Sequence, residues 1–290
     1  MSTEAKIARE ISYANSIRGR GGRAFVRVVE NLTGRPRLIR MALGYEKDVA
    51  TGQDFWQVMV RKYGIDLQII DGALENIPKT GPLVVVSNHP FGILDGMVMG
   101  NILSQTRGDF RILAHNVFQR AEEISRVILP VSFDQTKEAL RLNLNTRKSA
   151  LEYLGQGGAI GVFPGGSVST SNGPFGVPMD PRWRRFTAKL VAKSGATVVP
   201  IFFDGSNGRL FQIVSQYSDV LRKSLLINEF RRGIKRPARL VVGEPLSPEA
   251  LAPYRTKSRE LMVFLREATY KLSPKPLKPQ DYGFEFEDWD

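Results

Sequence analysis

Cysteine is absent from the 290 residues, and histidine occurs only at His89 and His115. The first absence excludes disulfides, thiolate nucleophiles and thiolate metal sites, and is compatible with either redox compartment. With two histidines a His-rich metal site is disfavoured, so no metal or bound cofactor is expected and a single-base mechanism is the simplest. Long apolar runs are also missing. Stretches such as Leu83 to Val86 fall far short of the roughly 18 to 20 residues a spanning helix needs, so no transmembrane helix is expected. Met1 to Glu10 mixes charges without the apolar centre of a secretory signal, which predicts retention in the cytoplasm. Internal repeats at solenoid or propeller periods are lacking as well.

What the chain has in excess is positive charge. Forty-one Lys and Arg against twenty-nine Asp and Glu give a formal charge of +12, which favours a polyanionic partner, either nucleic acid or an anionic membrane surface. The cations are clustered. Arg18, Arg20, Arg23, Arg27, Arg35, Arg37 and Arg40 crowd one stretch opposed only by Glu30, and Arg222, Lys223, Arg231, Arg232, Lys235, Arg236 and Arg239 form a second group. No helix-turn-helix, zinc-finger or RNP-type motif accompanies them, so nucleic acid is not the expected partner.

Residues 1–64 read as a basic amphipathic helical segment broken at Gly19, Gly21, Gly22 and Gly34-Arg35-Pro36. It serves either as an interfacial anchor, with Phe25, Val26, Val29, Leu32, Leu38, Ile39 and Met41 toward lipid, or as helices packed on their own core. Residues 65–246 alternate short apolar strands with helices. Strands are predicted at Leu67 to Ile70, Leu83 to Ser87, Phe110 to Ala114, Ala159 to Phe163, Val198 to Phe203 and Ala238 to Val242, with helices around 97–105, 135–154 and 182–194. That rhythm predicts an α/β fold with a mostly parallel sheet flanked by helices. Apolar residues from Leu210 to Phe230 recur at helical spacing beside arginines, facing either a membrane or the core. Residues 247–290 read as a helix through about Leu272 followed by a Pro-rich tail, extended or disordered.

The segment from Val84 to Gly96 carries the chemistry. A buried strand ends in Ser87-Asn88-His89 and turns through Pro90 and Gly92 toward Asp95. The carboxyl edge of such a sheet is where α/β folds bind ligands. A carboxylate six residues past the histidine can return to hold one imidazole nitrogen, which fixes the tautomer and leaves the other nitrogen as general base. The alternative is a histidine satisfied by a local turn. Gly165, Gly166 and Ser167 follow a strand in a Gly-rich turn whose amides suit an oxyanion, or make only a tight turn. Ser167, Ser169, Thr170 and Ser171 offer hydroxyls to a ligand or to solvent. Arg182, Arg184 and Arg185 meet an anionic ligand or are solvated helix charges, and His115 follows the strand Phe110 to Ala114.

Asn88-His89 with Asp95-Gly96 resembles the His-Asp block of the lysophosphatidic acid (glycerolipid) acyltransferase superfamily. Phe163-Pro164-Gly165-Gly166-Ser167 resembles its Phe-Pro-Glu-Gly-Thr block, and Val198-Val199-Pro200-Ile201 its last strand block, in the same order over about residues 65 to 245. The family separates its His and Asp by four residues, whereas five separate His89 and Asp95. Gly165 stands at the glutamate, and no Arg follows Ser167. These departures remove groups that hold a glycerol phosphate. The longer loop is similar to a bacterial branch containing the second acyltransferases of ornithine lipids and related aminolipids.

The resemblance implies the glycerolipid acyltransferase fold, with His89 as general base and Asp95 as its orienting carboxylate. Asn88, Phe91, Gly165, Gly166, Ser167, His115, Arg182, Arg184 and Arg185 are then expected at the substrates, and Arg35, Arg37, Arg40, Arg222 and Lys223 at an anionic membrane. The implied reaction moves a fatty acyl group from acyl carrier protein or coenzyme A to the hydroxyl of lyso-ornithine lipid or a related lyso-aminolipid, by a peripheral enzyme at the cytoplasmic face of the inner membrane. The nearer alternative acceptor is lysophosphatidic acid or another lysophospholipid. An alternative of another class is a non-catalytic protein that binds anionic lipid or nucleic acid.

Overall fold

The computed structural model describes residues 12–17, 19–115, 122–132 and 136–285; Met1 to Glu10, Arg18 and the end of the acidic tail lie outside them. Four helices lead, α1 Arg20–Thr33, α2 Arg35–Ala42, α3 Tyr45–Ala50 and α4 Phe55–Tyr63. Strands β1 Leu67–Asp71 and β2 Leu83–Ser87 come next, then α5 Ile93–Arg107, β3 Arg111–His115, α6 Glu122–Ser125, β4 Ile128–Val131, α7 Lys137–Gly155 and β5 Ala159–Val162. A small hairpin of β6 Thr170–Ser171 and β7 Pro178–Met179 precedes α8 Arg185–Ser194 and β8 Thr197–Asp204. The chain continues through α9 Arg209–Val214, α10 Asp219–Gly233, β9 Ala238–Val242, α11 Pro248–Leu251 and α12 Ser258–Tyr270.

Seven strands form one sheet in the order β1-β9-β8-β2-β5-β3-β4, parallel throughout except where β8 meets β9. The α/β, mostly parallel expectation is therefore met. All five residues of β2 are buried, because helices cover both faces of a strand that lies between β8 and β5. Its side chains alternate between two cores. Leu83 and Val85 pack with Leu38, Trp56, Met99 and Phe230 on one face. Val84 and Val86 pack with Leu190, Leu261, Met262 and Leu265 on the other.

The first core draws on α2 and α4, and the second on α12, so the boundaries at 64 and 246 are not seams in the packing. The tail is held too: Arg266 donates to the carbonyls of Pro279 (2.8 Å) and Asp281 (3.0 Å). Of the expected breaks, Gly19 (φ 86°) and Gly34 (φ 135°) bound helix α1, which runs unbroken through Gly21 and Gly22. Val26 and Leu38, expected at lipid, are fully buried, while Phe25, Val28 and Leu32 project outward. The stretch after Arg209 is two helices, with Phe211 and Phe230 in the interior and Leu210, Tyr217 and Leu221 outside.

Two of the expected membrane cations are corrected. Arg35 is buried, 4.0 Å from the buried Glu30 and bonded to Asn31 Oδ1 at 2.8 Å. Arg222 is buried as well, donating to the Val168 carbonyl at 2.6 Å and lying over the Phe211 ring. Burial lowers its pKa to about 10. Neither guanidinium is presented to a headgroup. Arg37 and Arg40 are exposed, and Lys223 pairs with Asp219 at 2.6 Å. No helix among the described residues is long and apolar enough to cross a membrane.

Candidate active site

Strand β2 stops at Ser87, and the Asn88–Gly92 turn delivers the chain to α5. Asp95 sits in the first turn of that helix, where a carboxylate complements the unpaired amides and the positive end of the dipole. Its Oδ2 accepts the N–H groups of Phe91 (2.8 Å) and Gly92 (2.9 Å) and lies 3.0 Å from His89 Nδ1. The five-residue separation is absorbed at Gly92, whose φ is +83°. A Cβ there would also come within 3.1 Å of Val168 Cγ2, so the turn requires glycine. Asp95 has no exposure; burial raises its pKa, while the bond from His89, its charge and the two amides lower it.

The imidazole stacks on Phe163 (centroids 4.2 Å apart, planes at 27°) and lines a cavity of about 420 Å³. The walls are mostly apolar, with Met97, Ile112, Ile128, Val162 and Phe186 among them, a composition suited to a lipid chain. Asp95 Oδ2 faces Nδ1 at 3.0 Å, which leaves Nε2 as the ring nitrogen for a reactant. The main chain of His89 is fixed on both sides: its N–H donates to Asp180 Oδ1 at 3.0 Å, and its carbonyl accepts the Ser169 N–H at 2.8 Å.

Other predicted substrate residues sort differently. His115 and Gly166 line the cavity, as does Arg184, which pairs with Glu285 at 2.9 Å. Asn88 does not reach the cavity. Its buried amide bonds both main-chain groups of Phe203 (2.9 and 2.7 Å), joining the end of β2 to β8. Phe91 packs against Gly205, where a Cβ would lie 2.7 Å from its Cζ, and is not part of the wall. Arg182 and Arg185 are exposed and away from the cavity, Arg182 lying over the Tyr282 ring.

The Gly-rich turn is tighter than expected. The Gly166 N–H donates to the Phe163 carbonyl at 3.0 Å, so it is used within the turn. Gly165 is buried against Asp180 and Ser167 is half-buried; among the described residues the N–H groups of these two have no hydrogen-bond acceptor. Ser169, Thr170 and Ser171 are buried rather than solvated. Ser169 bonds Asp180, Thr170 bonds the Val168 carbonyl, and Ser171 is held by Gln212 and Gln216. Sequence reasoning missed Asp180, Phe163 as the ring's platform, and Tyr13, which reaches the cavity from ahead of α1. Only Phe163 carried a signal, as the residue that opens the Gly-rich block.

A histidine–carboxylate pair thus stands at the carboxyl end of the central strand, the edge at which α/β sheets bind ligands, and opens on an apolar cavity. The family model described as Acyltransferase matches residues 47–275; the chain belongs to that family, within the glycerolipid acyltransferase superfamily its blocks resemble, and is an enzyme that transfers acyl groups. It is similar to a Lyso-glycine lipid O-acyltransferase of Phocaeicola vulgatus, 24% identical over 215 residues covering 72% of this chain and 74% of that protein. It is also similar to a Lyso-glycine lipid O-acyltransferase of Bacteroides thetaiotaomicron, 22% identical over 243 residues, 81% of this chain and 85% of that one. Among solved structures, the 1-acyl-sn-glycerophosphate acyltransferase of Thermotoga maritima superposes with a TM-score of 0.47 at 17% identity, covering 89% of this chain and 83% of the other.

Proposed function

We propose that this enzyme esterifies the hydroxyl of a lyso-aminolipid, an N-acylated amino acid such as glycine or ornithine, with a fatty acyl group taken from an acyl thioester. The observation that carries the reading is His89, tied to Asp95 at 3.0 Å and lining an apolar cavity. The relatives named for lyso-glycine lipid support the amino-acid headgroup. So does Gly165, which supplies no side chain for a phosphate.

In the reaction, His89 Nε2 takes the acceptor's hydroxyl proton as its oxygen attacks the thioester carbonyl. The tetrahedral oxyanion is met by N–H groups of the Gly165–Ser167 turn, Gly165 and Ser167 being those with no other acceptor among the described residues. The carbon–sulfur bond then breaks, the thiolate of coenzyme A or carrier protein recovers the proton from the imidazolium, and the ester remains. Asp95 keeps Nδ1 protonated throughout, so Nε2 presents its lone pair.

The acceptor resides in a membrane, and the outer surface suits that source. Phe25, Val28 and Leu32 project from α1, Phe175 and Val177 from the β6–β7 hairpin, and Tyr217 from the turn after α9, with Arg20, Arg23, Arg37 and Arg40 exposed nearby in sequence to the first of these.

The test is product analysis by mass spectrometry with purified wild type and His89→Ala. Acyl carrier protein and coenzyme A donors are paired with lyso-glycine lipid, lyso-ornithine lipid and lysophosphatidic acid. Ester formed on an aminolipid and lost with His89 upholds the reading; ester formed only on lysophosphatidic acid, or none on any of the three, rejects it.

A further inference from the structure

The chemistry above uses Asp95 and leaves a second fully buried carboxylate beside His89 without a role. Asp180 follows β7 and has no exposure. Its Oδ1 accepts the His89 N–H at 3.0 Å and the Ser169 hydroxyl at 2.5 Å, and its Oδ2 accepts the Trp183 indole N–H at 2.9 Å. Ser169 completes a ring by donating its own N–H to the His89 carbonyl. His89 lies beyond the end of β2, so no strand neighbour takes up its N–H. One carboxylate therefore holds the histidine's main chain directly, and through Ser169 from the other side.

Asp180 is itself fixed. Its N–H donates to the Tyr270 hydroxyl at 2.9 Å, and its carbonyl accepts Arg266 at 3.1 Å and the Gly283 N–H at 2.9 Å. It also governs the Gly-rich turn. A Cβ on Gly165 would stand 3.2 Å from Asp180 Cβ and 3.4 Å from Cγ, so a side chain at the position that carries Glu in the resembling block would crowd Asp180. A buried carboxylate is costly unless its acceptor sites are filled, and charge-assisted bonds of this kind are the strong ones.

We infer that Asp180 is a positioning residue for acyl transfer, holding the His89 main chain and the Gly165 turn as a unit while Asp95 holds the ring. The inference rests on the reading of His89 as the base. It acts through geometry, and displacement of a reacting group by about 1 Å can lower a rate on the order of 100-fold.

Asp180→Asn separates this from a merely space-filling role. The amide has one acceptor oxygen where the carboxylate has two. Whichever way it turns, its NH2 meets a donor, either the His89 N–H or the Trp183 indole. The expected result is a kcat lower by roughly 30- to 300-fold, with KM for donor and acceptor changed by less than about threefold.

A second readout does not require turnover. The chain has two histidines, so side-chain 15N shifts, assigned with His89→Ala, report the His89 tautomer directly. Asp180→Asn is expected to lower the population with the lone pair on Nε2 and leave His115 unchanged. A folded Asp180→Asn with wild-type kcat and an unchanged His89 spectrum overturns the proposal. Should that variant fail to fold, Ser169→Ala decides: it removes a single donor from Asp180, and full kcat there is the overturning outcome, against an expected loss of about three- to tenfold. If wild type acylates none of the three acceptors, the functional reading fails, while the 15N shifts still test whether Asp180 sets the histidine.

Discussion

Asp95 Oδ2 lies 3.0 Å from His89 Nδ1 and also accepts the two main-chain N–H groups of the intervening turn, so one oxygen both shapes the turn and orients the ring. Asp95→Asn removes the charge from that oxygen. Either the amide oxygen takes the Oδ2 place and keeps all three contacts without the negative charge that stabilises the imidazolium, or the NH2 takes it and meets the two turn N–H groups as well as Nδ1. Activity is expected to fall by about 10³- to 10⁴-fold with the fold retained. Burial raises the Asp95 pKa, which makes the protonated form the one that folding favours. That contribution is full below the unfolded value near 3.9 and is lost as pH rises through the folded one. The neutral variant is therefore expected to have a Tm no lower than wild type at pH 7 to 8, its relative advantage shrinking toward pH 4. Paired thermal melts and acyl-transfer rates check both halves.

Gly92→Ala tests the turn. At φ +83° an L-residue is strained, and its Cβ would stand 3.1 Å from Val168 Cγ2. A loss of about 1 to 3 kcal/mol in chemical denaturation is expected, with kcat/KM down more than about tenfold as Asp95 and His89 separate. Wild-type stability together with wild-type kcat/KM would show that the turn tolerates a side chain.

Much of the sheet was legible because burial on both faces leaves an unbroken apolar run. Leu83–Ser87 and Ala238–Val242 appear with the bounds expected, and β3 is displaced by one residue. Strand β4 escaped because Pro130 argues against a strand, yet β4 is the sheet edge, where a missing N–H is tolerated. The His–Asp pair was legible because its parts lie in one turn. Asp180 was not, since it meets His89 across 91 residues of sequence through a hairpin only two residues deep on each side. Arginine clusters misled for a related reason: sequence shows the charge of Arg35 and Arg222 but not that helix packing buries them.

Charge reversal separates surface from interior arginines. Arg37→Glu with Arg40→Glu is expected to weaken binding to anionic vesicles at low salt and leave Tm within a few degrees, since exposed cations near a membrane contribute about 1 kcal/mol each. Arg35→Glu and Arg222→Glu place a carboxylate in the interior, beside Glu30 in the first case and facing the Val168 carbonyl in the second. Both are expected to lower stability by about 3 to 5 kcal/mol. Co-sedimentation with phosphatidylglycerol vesicles, read beside thermal melts, distinguishes the pairs; equal vesicle binding by wild type and the Arg37/Arg40 variant would remove those two from the docking surface.

Gly96 offers a way to shorten the cavity without touching the chemistry. It lies on α5 one residue past Asp95, lines the cavity, and a Cβ built there meets nothing within 4 Å. Its φ is not positive, so a side chain is tolerated by the backbone, and replacing glycine inside a helix gains up to about 1 kcal/mol of helix propensity. Gly96→Leu therefore directs an isobutyl group into open apolar space near His89 while leaving the imidazole, Asp95 and the Asn88–Gly92 turn as they are. If the cavity holds the donor's acyl chain, the variant prefers shorter acyl donors, with kcat/KM for long chains falling by about tenfold or more and that for short chains conserved. A uniform fall across all chain lengths would instead mean that the introduced side chain disturbs the helix or the acceptor, and an unchanged profile would place the acyl chain elsewhere.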